Sequence, residues 1–385
     1  MFQSIRIQKG PVVALLILVS ACERDQDVPT ADVESNGLSA LPTSPVYPST
    51  NAYSQAKFDL GRALFWDPIL SGNNDVACAT CHHPDFGYSD GRQLSSGVNG
   101  NGLGPARTGG ALVKRNSPTV INTAFNGINE LGVSNPSTAP MFWDNRAESL
   151  EAQAILPLLS AEEMRGDDIP ENEIYDHIVQ KLVALGAYEM LFQNAFGNDL
   201  ISIERVADAL STFQREIVAN DSPFDEYMRG NTNALNNQEI EGMNTFIDVG
   251  CANCHSGPMF SDFELHTLSV PEHPLVEDEG ATGNFDFRTP SLRNLALTGP
   301  YMHNGRFNQL RDVLEFYNDI SGGNGDSQNP NVNDNEIAQE ARDLDLDGGD
   351  INEIIQFLNA LNDEDFDREI PQSVPSGLPV GGNIN

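Results

Sequence analysis

The pentapeptide Cys-x-x-Cys-His occurs twice, at Cys78-Ala79-Thr80-Cys81-His82 and at Cys251-Ala252-Asn253-Cys254-His255, and it takes four of the five cysteines in the chain. Thiols at this spacing add across the two vinyl groups of one haem, and the histidine that follows reaches the iron as its proximal ligand. A four-thiolate zinc site or a redox dithiol requires no histidine directly after both pairs. Two covalently attached haem c groups are therefore expected, held by Cys78, Cys81, Cys251 and Cys254, with His82 and His255 on the irons.

The fifth cysteine points to an exported protein. Arg6 and Lys9 precede the apolar run Val12 to Val19, and Ala21-Cys22 follows it. A basic region, a short hydrophobic stretch and small residues in that order read as a lipoprotein signal over 1–21, with Cys22 lipidated. The run is too short to span a bilayer, so membrane contact is expected through the lipid alone. The expected location is the bacterial cell envelope, facing the periplasm, and Glu23 after the cysteine leans towards the outer membrane. With the cysteines so committed, no disulfide is expected. A formal charge of −35 argues against nucleic acid as a partner. The same field could steer a small basic cytochrome.

Residues 22–50, rich in Pro, Ser, Thr, Asp and Asn, read as a flexible tether. Helical patterns run from Ser54 to Trp66, through Ile174, Ile178, Leu182 and Leu185 before Gly186, and through Ile203, Val206, Leu210, Phe213 and Ile217. The polar stretch Asn231 to Asn237 marks an interdomain break. Beyond it Gln238 to Val249 leads helically into the second motif, and a late helix carries Ile351, Ile354, Ile355, Leu358 and Leu361. Period-two strand patterns are nearly absent. The expected fold is mainly α, with two cytochrome c-like haem domains at 51–232 and 233–370 and a C-terminal tail at 371–385. Asp343-Leu344-Asp345-Leu346-Asp347-Gly348 begins like a calcium loop, but Ile354 stands where the closing glutamate belongs, so an acidic surface turn is expected.

Further segments are Phe65-Trp66-Asp67-Pro68, Arg115-Asn116-Ser117-Pro118-Thr119, Phe142-Trp143-Asp144-Asn145-Arg146-Ala147, Leu150-Glu151-Ala152-Gln153 and Glu162-Glu163-Met164. The second half adds Phe287-Arg288-Thr289-Pro290-Ser291-Leu292-Arg293-Asn294 and Leu297-Thr298-Gly299-Pro300-Tyr301-Met302-His303-Asn304-Gly305. In this order and spacing, over roughly Ser54 to Leu361, the chain resembles the bacterial dihaem cytochrome c peroxidases, a family that includes the MauG-type enzymes. The resemblance implies an active haem in the first domain and an electron-transfer haem in the second. It places Trp143 between the haems and Gln153 and Glu163 on the open side of the first. It also implies a calcium ion between the domains, held by Asn116 and by carbonyls of Thr298 and Pro300. The expected activity is reduction of hydrogen peroxide to water with electrons from a small periplasmic donor, and a homodimer is possible. Peroxide-dependent oxidation of a protein side chain and plain electron carriage are the alternatives.

Heterolysis of the O–O bond needs a group that takes a proton from the near oxygen and returns one to the departing oxygen. A carboxylate raised by a poorly solvated pocket does both, which suits Glu163, while the Gln153 amide can place the peroxide. Two departures from well-known members stand out. No histidine occurs between His83 and His177, so the loop Ser95-Ser96-Gly97-Val98-Asn99-Gly100 lacks the residue that blocks the first haem, and that haem is expected open. Fourteen residues after His303 stands Tyr317, where those members carry a methionine and MauG a tyrosine. Tyr317 is thus the expected distal ligand of the second haem, with Met302 or Met259 as alternatives. His83 is expected at the surface or on a propionate; His177, His266 and His273 are given surface or packing roles.

Overall fold

The computed structural model describes residues 37–322 and 325–385. This part is largely helical, its longest helices being Gln55–Trp66, Ile174–Leu185, Ile203–Arg215, Asn237–Asp248, Leu310–Ile320 and Asp350–Asn359. Among the described residues the strands form two antiparallel pairs, Gly100–Asn101 with Thr108–Gly109 and Leu265–Thr267 with Asp286–Arg288. The helices begin where side chains satisfy free amides. Ser54 Oγ accepts from Lys57 N at 3.2 Å, and Asn236 forms a reciprocal capping box with Glu239. Gly186, in the left-handed region, ends Ile174–Leu185.

Each motif is preceded by a helix that crosses a later one at a glycine. A Cβ on Gly61 would lie 2.0 Å from the Ala209 carbonyl oxygen, and one on Gly242 would lie 2.0 Å from that of Glu353. Only glycine lets these backbones approach so closely. Beside each crossing an aromatic pair packs, Phe65 with Phe213 at 5.1 Å between centroids and Phe246 with Phe357 at 5.4 Å. The first core gathers Leu60, Leu64, Ile178, Leu182 and Leu210 around its crossing, the second Met243, Ile351, Ile354 and Leu358. The halves thus repeat far more than a helix and a motif.

Three expected boundaries move. Helix Pro223–Met228, placed in the first domain by a break at 232, puts Phe224 into the second core. Of the expected tether, residues 37–50 are packed. Leu38 bridges to Gly257, Leu41 is buried, and Asn220 Nδ2 donates to the Pro42 carbonyl. The stretch 371–385 returns to the first half, where Thr80 Oγ1 donates to the Gly381 carbonyl and Gly381 N to that of Trp66. Polar contacts across hundreds of residues hold both ends, and such contacts have no periodicity to read. His83 also departs from expectation. It is buried, its Nδ1 accepts from Asp85 N at 3.2 Å, and its ring meets Trp66 edge-on. In the acidic turn Asp347 Oδ1 accepts from Gly349 N at 2.6 Å. Residues 1–36, with the signal segment and Cys22, lie outside the described residues.

Candidate active site

Each motif ends in a histidine whose second nitrogen is already engaged. His82 Nδ1 lies 3.0 Å from the Tyr88 carbonyl oxygen, and His255 Nδ1 lies 2.9 Å from that of Phe260. Tyr88 and Phe260 both adopt left-handed backbone, with φ of 55° and 53°, which turns their carbonyls inward. A hydrogen bond at Nδ1 fixes the tautomer and leaves Nε2 as the metal-binding atom. Burial also holds both imidazoles below their ordinary pKa and so neutral, as a ligand must be. The donor sets therefore fit a haem at each motif.

Cys78, Cys81 and His82 face a cavity of about 930 Å³ whose wall includes Gln153, Glu163 and Trp143. Cys251, Cys254 and His255 face a second, of about 230 Å³, lined by Tyr317, Met259 and Met302. The three expected catalytic residues thus meet in one cavity and the three candidate distal ligands in the other. Glu163 sits on a π-helical turn, Ala161–Arg165, capped by Ser160 Oγ on Glu163 N at 3.2 Å. The open loop at 95–100 clamps that turn, because Val98 N donates to the Glu162 carbonyl and a Cβ on Gly97 would lie 1.9 Å from the same oxygen. Burial pushes the Glu163 carboxyl up to about 7, Glu162 adds to the rise, and Arg146 opposes it. Among the described residues, His82 is the one histidine on the first cavity's wall.

Trp143 lies on the walls of both cavities, as do Asn116 and Arg288. Its Nε1 donates to the Asn116 carbonyl at 3.0 Å, and its own carbonyl accepts from Arg288 N at 2.7 Å. The second half mirrors this, since Asn116 N donates to the His303 carbonyl at 2.7 Å. Trp143 and His303 head equivalent hairpins, closed by the bridges Met141 to Ala147 and Tyr301 to Phe307. Asn116, Thr298 and Pro300 share the wall of the second cavity. Asn116 Nδ2 donates to the Arg92 carbonyl, which leaves Oδ1 as the hard oxygen suited to calcium.

A family model for di-haem cytochrome c peroxidase matches residues 55–233. The methylamine utilization protein MauG of Methylorubrum extorquens is 33% identical over 357 residues, covering 89% of this chain and 90% of its own. Cytochrome c551 peroxidase of Nitrosomonas europaea is 30% identical and covers 83% of each chain. This chain belongs to the dihaem cytochrome c peroxidase and MauG family. A solved MauG-like protein associated with microbial copper homeostasis has a similar structure, with TM-score 0.67, 27% identity, and coverage of 84% of this chain and 95% of that one. A dihaem family and two attachment motifs together give the chain two haem c groups.

The sequence alone gave no role to Tyr88, Phe260, Ser117 or Arg288. Ser117 Oγ donates to the Cys81 carbonyl at 2.9 Å and lies 3.2 Å from His82 Nδ1. Setting Arg115-Asn116-Ser117-Pro118-Thr119 against Phe287-Arg288-Thr289-Pro290-Ser291 would have flagged Arg288, which stands where the first half has Asn116.

Proposed function

We propose that the first cavity reduces hydrogen peroxide to water, with electrons from a small periplasmic donor entering at the second haem. The observation that carries this reading is that the Glu163 carboxyl and the Gln153 carboxamide share the wall that also bears Cys78, Cys81 and His82, with burial pushing the carboxyl up to about 7. The haem groups supply the electron transfer to the O–O bond. Glu163 takes a proton from the oxygen nearer the iron and returns it to the departing oxygen, and a raised pKa suits both steps near neutral pH. Gln153 donates to one peroxide oxygen and accepts from the other, which orients the bond. Trp143, on the walls of both cavities, gives the electron a short covalent and hydrogen-bonded route, through Asn116 on one side and Arg288 on the other. Asn116, Thr298 and Pro300 are the proposed calcium ligands, and a lipid at Cys22 the proposed anchor.

A second reading, MauG-like oxidation of a protein side chain, is favoured by Tyr317 on the second cavity's wall, where well-known members of the family carry a methionine. Burial raises the Tyr317 pKa, and if the side chain bound a haem iron as phenolate, that ligand would favour the oxidised metal and suit sharing of an oxidising equivalent. Steady-state peroxide consumption with reduced cytochrome c separates the two. Rapid turnover supports the first reading; oxidation of both haems by peroxide with no turnover of the donor overturns it in favour of the second. The resting protein should show one high-spin and one low-spin ferric EPR signal, and low-spin iron alone would remove the open first site.

A further inference from the structure

Arg288 carries a charge that the chain does not neutralise. Its residue is 9% exposed, and burial pushes its pKa down to about 10, with Asp144 opposing. Nε donates to the Phe142 carbonyl at 2.8 Å. Among the described residues no hydrogen-bond partner meets Nη1 or Nη2. Asp144, the carboxylate whose field reaches it, is bound by Arg115 at 2.6 Å and by Arg146 at 2.8 Å. A buried guanidinium without a paired anion costs several kcal/mol. The compensating anion therefore comes from outside the chain, and the residue lines both cavities.

We infer that Arg288 is a carboxylate site shared by the two cofactors, its Nη1 and Nη2 fork binding a propionate of each haem. A guanidinium fork matches carboxylate geometry, and two terminal nitrogens can serve two acceptors. The equivalent residue in the first half, Asn116, is uncharged, so the shared cation enters once, from the second half. A single positive charge on the walls of both cavities would favour the reduced, less positive state of each cofactor. The haem midpoint potentials are thereby tied to one side chain, and Arg288 N holds the Trp143 carbonyl in the same place.

The inference rests on the two-haem reading and not on peroxide turnover, so a haemochrome count precedes the test. Spectroelectrochemical titration of holoprotein then compares Arg288→Gln and Arg288→Lys with the parent. Gln should move both midpoints negative, and Lys, which keeps the charge but loses the Nε contact to Phe142, should restore both by more than about half of that shift. A shift of one haem alone, no shift, or equal shifts in Gln and Lys would overturn the shared site. Should the Gln variant fold poorly, the Lys variant and the parent, titrated for loss of the propionate carboxylate bands by resonance Raman, carry the same decision. Disturbed propionate modes of both haems in Lys support it, and of one or neither defeat it.

Discussion

The two cavities are built on one plan and lined for different work. Ten residues after Trp143 stands Gln153, and ten after His303 stands Val313, each on its own cavity's wall. Gln214 follows Phe213 on the first wall, where Leu358 follows Phe357 on the second. Asp90 and Asp262 close matching segments, Tyr88-Ser89-Asp90 and Phe260-Ser261-Asp262. Burial pushes Asp90 up to about 6, whereas at Asp262 burial is outweighed by His266, 2.8 Å away, together with hydrogen bonds from the Glu264 amide and Thr289, which hold that carboxyl below its ordinary range. The scaffold around a haem tolerates either lining, so proton chemistry is decided at a few wall positions rather than by the fold.

The largest expected effect tests that contrast directly. Glu163→Gln should slow peroxide turnover by about 10²- to 10³-fold, the usual worth of a positioned acid–base group. Because the carboxylate form takes the first proton, the parent rate should fall as pH drops below about 7, and stopped-flow profiles of the variant should lose that limb. A limb that survives in the variant assigns the proton to another residue.

Next come the two helix crossings. Gly61→Ala and Gly242→Ala each force a backbone apart and should cost about 1–3 kcal/mol. Thermal melts followed by haem absorbance should show Gly61→Ala loosening the first site and Gly242→Ala the second; disturbance of the same haem by both breaks the picture of two units. Gln153→Val, which gives the first cavity the lining of the second, should slow the peroxide step about tenfold, or about 1.4 kcal/mol. An unchanged rate would leave Gln153 as packing. Smallest in rate is Tyr317→Phe. It should change the low-spin EPR signal while the first reaction with peroxide stays near that of the parent, and an unaltered signal hands the ligand position to Met302 or Met259.

The motifs and the main helices were legible in the sequence, because attachment chemistry and helical periodicity are both local, whereas the meeting of Gln153, Glu163 and Trp143 followed only from the family resemblance. Helix Leu310–Ile320 was read only as the bearer of Tyr317, and helix Glu189–Phe196 not at all. The π-helical turn under Glu163 was not legible either, since what shapes it is the close pass of Gly97 from another segment. Arg288 stayed hidden for a similar reason. Its meaning lies in what fails to surround it, and a linear pattern carries no record of absent anions.

The segment 381–383 has a consequence for how the first motif is held. Between the two cysteines of the first motif stands Thr80, whose hydroxyl is tied to Gly381, and Asn383 N donates to the Asp75 carbonyl just before the motif. The unit around the first motif is therefore finished by residues some 301 positions further along the chain. That latch shuts only when 381–383 dock, so removing them should leave the loop that carries Cys78 and Cys81 free to open.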